Sequence, residues 1–452
     1  MDSNNLQSGG VAYSSILEGG SLIVTLLQET IALLKKMISY HSYPTSNTTD
    51  QEDILDFTLD YCSELGFIVK KVTSTLGWVQ LGTEGPLVAF PVHLDVVPPG
   101  NGWDTDPFTL VEQAQTLYGR GVYDNKGPAA VMIVLLNELR QKIEEKGVRA
   151  RIILGAQEET GMACIQHYTL REEKPISGFV PDAMFPIVVG EKGRMHILLE
   201  STEEIAWLDE ILAGEQVNSV PDRATMKVKS KKVLDRMVLT GASNHENEMV
   251  VYQGVSAHAA KPEAGKNAFY LLMNAMAPAI RSKKMNNLLQ ISDLNGESIG
   301  LSCPESRFGN TTINAGIINF KENKWQVELD IRFNNNLTQE TILHKLRKFF
   351  PDWTLKVLNT KDVHLVENRH LADQLVGLYR QYYPTDQTEP IYMGGSTYAS
   401  YFDNFTAFGP RFPDTRTYAH GKNERMKLSD LEKLLQIYKD AIQIVIEEAI
   451  KT

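Results

Sequence analysis

Two histidines and five acids of this sequence have the residue types and spacing to do chemistry. His93 and Asp95 end the apolar run "PLVAFPVHLD". Two residues apart on an extended strand, they share one face, and strands of a parallel sheet open their C-terminal ends onto the ligand crevice. A lone histidine there is as readily a hydrogen-bonded structural residue. Asp124 lies in "YGRGVYDNKGPAA", between a glycine-rich turn and an apolar helix, where helix capping is the ordinary reading. Glu158 and Glu159 follow the run "RARIILGA"; paired acids at a strand end often do no more than begin a solvated loop. Asp182, in "GFVPDAMFPIVVG", is set among apolar residues, where an unpaired carboxylate is costly. His420 stands in the loop "TYAHGKNERM" ahead of the last helix. Imidazoles and carboxylates without thiolates are the donor mixture for zinc, manganese or cobalt rather than for iron–sulfur or copper chemistry. Two ions roughly 3.5–4 Å apart need a shared carboxylate as well.

The elements that must position these residues alternate between two hydrophobic periods. "SLIVTLLQETIALLKKMISY" has helical spacing, whereas residues 86–92, 149–156 and 185–190 are short continuous apolar runs of the kind found in strands covered on both faces. "GPAAVMIVLLNELRQKIEEK" between the first two reads as a crossover helix, and strand, helix, strand in that order predicts a parallel sheet. From about residue 193 the texture changes. A polar insert, "VPDRATMKVKSKKVLDR", precedes the alternating strand "KWQVELDIRF", which puts Trp325, Val327, Leu329, Ile331 and Phe333 on one face and leaves a polar face half open to water. "LTQETILHKLRKFFP" is its amphipathic helix. After residue 365 helices resume, and Ser429 and Glu432 have capping-box spacing at the start of the last one. The reading is an α/β domain built from residues 1–192 and 365–452, with an α+β domain inserted at 193–364. The first twenty or so residues read as a flexible leader.

With 452 residues, the chain exceeds one ordinary core. A formal charge of −11, from 45 Lys+Arg against 56 Asp+Glu, disfavours nucleic acid or an anionic membrane as partner. Cys62, Cys164 and Cys303 are far apart and odd in number, which argues against a disulfide framework or a zinc finger. No run approaches eighteen apolar residues, and "MDSNNLQSGG" is not a secretory signal. A soluble, reducing, cytoplasmic setting follows as the default.

Taken in order, "HLD", "GRGVYDNKGP", "EETG", "PDAMFP", "GVSAHAAKPEAGKNA" and "AHGKNE" resemble the motifs of the co-catalytic zinc exopeptidases, a family of dipeptidases, aminoacylases, desuccinylases and glutamate carboxypeptidases. The resemblance runs from about residue 25 onward. "PPGNGWDTDPF" and "PDAMFPIVVGEKG" point to the bacterial PepV-type, carnosinase-like dipeptidases. The fold implied is an α/β, zinc-exopeptidase-like catalytic domain with a mixed, mainly parallel sheet between helices, plus an inserted α+β lid domain. By resemblance, His93 and Asp182 would hold one Zn2+, Glu159 and His420 a second, and Asp124 would bridge the two, with Mn2+ or Co2+ as alternatives. Asp95 would fix the His93 imidazole, and Glu158 would be the general base. The family's cis peptide after the bridging aspartate falls at Asp124–Asn125.

The resemblance also implies substrate contacts in a lid. His258 matches an oxyanion-stabilising histidine, and Arg332 an arginine that binds the substrate carboxylate. Gly395 and Ser396, in "MGGSTYAS", match a backbone nest for that carboxylate. Asn310 and His245 are further candidates, as readily solvated loop residues. Two departures are Ser400, where the pattern has arginine, and "AHGKNE" in place of "AHSPNE" or "AHQANE". The activity implied is release of the N-terminal residue from a small dipeptide. An N-acyl-amino-acid amidohydrolase with the same centre and an inactive peptide-binding paralogue are the alternatives. Retention of both Glu158 and Asp95 counts against the paralogue. The length of the inserted segment favours a monomer over a homodimer.

Overall fold

The computed structural model describes residues 10–44, 49–239, 242, 244–246, 249–277 and 282–451. Part of the expected flexible leader, residues 1–9, and the neighbours of His245 at 243 and 247–248 lie outside the described residues. The chain forms two compact units, one drawn from Met1–Val189, Leu365–Ile391 and Thr397–Thr452, the other from Gly190–His364 and Tyr392–Ser396. The five residues Tyr392–Ser396, which carry the glycine-rich loop, therefore group with the second unit. Among the described residues, no helix is long and apolar enough to cross a membrane.

The first unit is built on a mixed sheet whose strand order is Ile68–Thr73, Leu76–Leu81, Arg149–Gly155, Leu87–His93, Ser177–Val180, Thr406–Ala407 and Val188–Glu191, with His364–Leu365 beyond. Its central strands run parallel: Leu87–His93 pairs with Arg149–Gly155 and with Ser177–Val180, which pairs with Thr406–Ala407. Toward the edges the pairing turns antiparallel. Every residue of Leu87–His93 is buried. The helices Lys126–Glu138 and Leu428–Lys451 and the short 3-10 turn Tyr398–Tyr401 pack against it, so an uninterrupted apolar run is what this position requires. Each such side chain removed from water contributes about 1.5–3 kcal/mol.

Three local details differ from the sequence reading. The crossover segment is two helices, Lys126–Glu138 and Arg140–Glu145, with Leu139 between them at φ −87, ψ 5. The last helix already begins at Leu428, so Ser429 lies within its first turn and not at its cap. The strand Arg425–Lys427 runs straight into that helix, and the Leu428 N–H donates to the Gln115 carbonyl instead. The polar insert contains a strand, Arg223–Val228, whose alternate residues are buried.

The second unit holds an eight-stranded sheet with antiparallel pairings, in which Lys324–Phe333 lies between Thr312–Lys321 and Gly193–Thr202. Trp325, Val327, Leu329, Ile331 and Phe333 are all buried in one core with Phe269, Leu272 and Met273 of helix Ala268–Met276 and Ile342 and Leu346 of helix Gln339–Phe349. Thr338 caps the latter helix, accepting from the Thr341 N–H. The opposite face of Lys324–Phe333 is exposed only at its start. Asp330 and Arg332 are buried, because the arginine fork closes on the aspartate one step along the same face, at 2.5 and 2.9 Å.

All three cysteines are free thiols, and burial pushes Cys62 and Cys164 up to about 12. The thiolate is the reactive form, so the native protein treated with an alkylating reagent at mildly alkaline pH is expected to be modified at no cysteine other than Cys303. Peptide mass mapping reads this out; labelling of Cys62 or Cys164 before unfolding would contradict the packing described.

Candidate metal centre

The parallel strands deliver their carboxyl ends to one place in the first unit. His93 is the last residue of Leu87–His93 and stands level with Gly155, the last of the neighbouring strand. Gly155 is required there, since a Cβ would lie 2.1 Å from the Tyr398 hydroxyl oxygen. Beyond Gly155 the chain turns and presents Glu158 and Glu159. Asp182 follows the strand Ser177–Val180, and Asp124 precedes the helix Lys126–Glu138, whose cap residue is Asn125. Asp124 is therefore not a capping residue, and the Asp124–Asn125 peptide is cis. His420 sits at φ 60, in the left-handed region that non-glycine residues seldom occupy outside constrained sites.

These side chains converge. His93 Nε2 is 3.0 Å from Asp124 Oδ1 and 3.6 Å from Asp182 Oδ2. His420 Nε2 is 3.1 Å from Asp124 Oδ2 and 2.9 Å from Glu159 Oε1. Asp124 thus faces one imidazole with each of its oxygens. Ligand atoms of His93, Asp124 and Glu159 lie within 4.8 Å of one another. Asn125 Nδ2 donates to Asp182 Oδ1 at 3.2 Å and to the Pro181 carbonyl, which fixes the third acid.

Asp95 holds the cluster from below in a way the strand period alone does not specify. Its main-chain carbonyl, not its carboxylate, is the hydrogen-bond partner of His93 Nδ1, at 2.9 Å. The carboxylate lies 3.6 Å from that nitrogen and instead accepts the Glu158 and Glu159 N–H groups at 3.0 and 3.1 Å. A single buried aspartate thereby orients one imidazole and anchors the turn that carries both glutamates.

Charge is the dominant property of the site. Burial raises Glu158 well above the usual carboxylate range, with Glu159 and Asp182 adding to this and His93 opposing it. Burial likewise raises Glu159 and Asp182. Burial acts against the charged imidazole of His93, but Asp182, Asp124 and Asp95 outweigh it and hold His93 well above its ordinary value. The same competition carries His420 to about 11, through hydrogen bonds to Asp124 and Glu159. Asp124, despite its burial, is lowered by both histidines. Two imidazoles and three carboxylates, with imidazole–carboxylate contacts of 2.9–3.6 Å and all acceptors once deprotonated, fit one or two divalent cations.

The profile of peptidase family M20/M25/M40 matches residues 89–444, a span that contains every one of these side chains. The chain belongs to that family. M20 peptidases are metal-dependent, and the donor set described above suits that requirement. Among relatives, the Bacillus subtilis protein named "Putative dipeptidase YtjP" is 29% identical over 403 residues, covering 83% of this chain and 87% of its own. The fold is shared with human carnosine dipeptidase 1, at TM-score 0.57 and 16% identity over 94% of this chain and 98% of that one. It is also shared with YxeP of Bacillus subtilis, described as a dinuclear metal-binding M20 peptidase, at TM-score 0.53 and 12% identity over 94% and 99%.

The remaining candidates of this M20 peptidase belong to the second unit. The Ala260 N–H donates to His258 Nδ1 at 3.1 Å, which places the proton of the neutral ring on Nε2. Arg332 gives Nε and Nη2 to Asp330 and Nη1 to the Gly394 carbonyl, leaving two of its five N–H groups. The Asn310 Oδ1 accepts the Cys303 and Thr311 N–H groups and its Nδ2 donates to Ser302, which leaves one amide hydrogen. Its carbonyl accepts from the buried Lys192, a partner that sequence reading missed. Gly395 and Ser396 lie in the loop that joins this unit, and Ser396 Oγ is buried without a hydrogen-bond partner among the described residues. His245 lies on strand Asn244–Glu246.

Because both imidazoles are held above their ordinary values, the metal-free centre retains protons that a cation must displace. A raised imidazole stabilises the metal-free fold fully below its unfolded pKa of about 6.5, and that contribution is lost as pH rises toward about 11. Metal affinity is accordingly expected to rise with pH over this window. Calorimetric titration of zinc into metal-free protein, in buffers of different ionisation enthalpy, should register net proton release. Heats independent of the buffer would contradict the ion-paired description.

Proposed function

We propose that the protein is a dipeptidase whose centre takes two divalent ions, zinc in the first instance. His93 and Asp182 would hold one ion, Glu159 and His420 the other, with Asp124 shared. The observation that carries this reading is that Asp124 faces a different imidazole with each carboxylate oxygen, each imidazole being backed by a further acid. Such ions, when bound, lower the pKa of water and polarise a carbonyl.

The rest of the chemistry falls to side chains. Glu158 takes the proton of the attacking water and passes it to the leaving amine. Its burial, and the neighbouring Glu159 and Asp182, raise its proton affinity, which suits a group that must first accept and then return a proton near neutral pH. Asp95 supports Glu158 by accepting its backbone N–H. His258 offers its Nε2–H to the developing oxyanion, and the two remaining N–H groups of Arg332, with the Gly395–Ser396 backbone, receive the substrate's carboxylate. Three free cysteines support a reducing, cytoplasmic setting for the activity.

A panel of dipeptides, tripeptides and N-acyl amino acids, assayed before and after chelation, is expected to show turnover of dipeptides that chelation abolishes and added zinc, manganese or cobalt restores. Better turnover of N-acyl amino acids would instead favour an amidohydrolase, and turnover that survives chelation would overturn the metal-dependent reading. Glu158→Ala is expected to lower kcat about 10²–10⁴-fold with metal content intact. Parent-like turnover in that variant would remove Glu158 from the reaction. His258→Ala should lower kcat by about 10²–10³-fold, since a lost oxyanion donor acts on the transition state.

A further inference from the structure

A buried acid outside the ligand set touches the backbone of the shared aspartate from the far side. Glu424 is fully buried, four residues beyond His420. Its Oε1 accepts the N–H groups of Tyr123 and Asp124 at 2.9 and 3.1 Å. Its Oε2 accepts the Gly121 N–H at 2.9 Å and Arg120 Nη1 at 2.7 Å. Arg120, itself buried, donates through Nη2 to the Gly421 carbonyl at 3.0 Å. One carboxylate and one guanidinium thus stitch the loop that ends in Asp124 to the loop that carries His420.

Two further ties make the junction specific. The Gly119 N–H donates to the Glu424 carbonyl, and Asn423 exchanges hydrogen bonds with Asp104, its Oδ1 accepting the Asp104 N–H and its Nδ2 donating to Asp104 Oδ2. Arg120 is sandwiched between this loop and the Trp103 ring, 5.2 Å from its centroid. Nothing comparable links Glu424 to His93, whose ring is set by the Asp95 carbonyl. The two imidazoles therefore have separate supports among the described residues.

We infer that Glu424, clamped by Arg120, is a positioning residue that sets the distance between Asp124 and His420, and so governs the ion held by His420 and Glu159 rather than the one held by His93 and Asp182. This inference rests on the two-ion reading proposed above. Glutamine at 424 keeps the shape, but its amide nitrogen would face either the Arg120 and Gly121 donors or those of Tyr123 and Asp124. Donors then oppose donors at one end of the clamp. The supports of metal ligands commonly change metal affinity by about 10–100-fold when altered.

The test is a chelator-competition titration of Co2+, followed by its visible absorption, on the parent, Glu424→Gln and Arg120→Lys, with the melting temperature of each metal-free protein measured alongside. The parent should take up two ions. Glu424→Gln should bind one with affinity within about threefold of the parent and the other about 10–100-fold more weakly. Arg120→Lys, which keeps the charge and is the gentler change should Glu424→Gln fold poorly, should weaken the same ion by less. Variants whose two ions weaken equally, or bind as in the parent while only the melting temperature falls, would reduce Glu424 to a structural role and overturn the clamp alone. A parent that binds a single ion would overturn the two-ion reading and the clamp together.

Discussion

The constraint on which the site depends is the crowding of carboxylates in a half-buried place where water screens them poorly. Among the described residues, Asp124, Glu158, Glu159 and Asp182 crowd together with the imidazoles of His93 and His420 as their counter-charges, and burial opposes the ionised form of each acid. An arrangement of this kind persists only if the backbone holds every member in position and a cation completes the charge balance. Asp95 and Glu424 do the holding. Each is buried; main-chain N–H groups of the loops that bear the acids fill the Asp95 carboxylate, and such groups together with Arg120 Nη1 fill that of Glu424.

The sheet explains why these loops meet. Parallel pairing of Leu87–His93 with Arg149–Gly155 and Ser177–Val180 brings His93, the Glu158–Glu159 turn and Asp182 to the same edge, although they are separated by many residues of chain. The helix that must cover the sheet between the first two strands begins just after Asp124. The last helix, which begins at Leu428, packs on the same strand and brings the His420 loop with it. The chemistry is thus placed by elements whose own sequence is plain apolar core.

Much of this arrangement was legible in the chain, and what was not has physical reasons. The continuous apolar runs exposed the central strands, since burial on both faces leaves no room for polar residues. The edge strand Ile68–Thr73, its neighbour Leu76–Leu81 and the short Ser177–Val180 carry too little period to stand out, and only pairing with neighbours defines them. Period two placed His93 and Asp95 on one face, yet it could not say that a carbonyl rather than a carboxylate would meet the imidazole. The same period also places Asp330 beside Arg332 on the polar face, but period alone does not specify that the two close into a buried fork. Arg120 and Glu424 are beyond any local pattern, because a contact between residues 304 apart exists only once the fold is complete.

Direct location of the ions bears most closely on this account. Crystals grown with Zn2+, measured on either side of its absorption edge, are expected to give two anomalous peaks in the first unit, both in contact with Asp124, one also with His93 and Asp182 and the other with Glu159 and His420. A single peak, or ions bound away from Asp124, would contradict it.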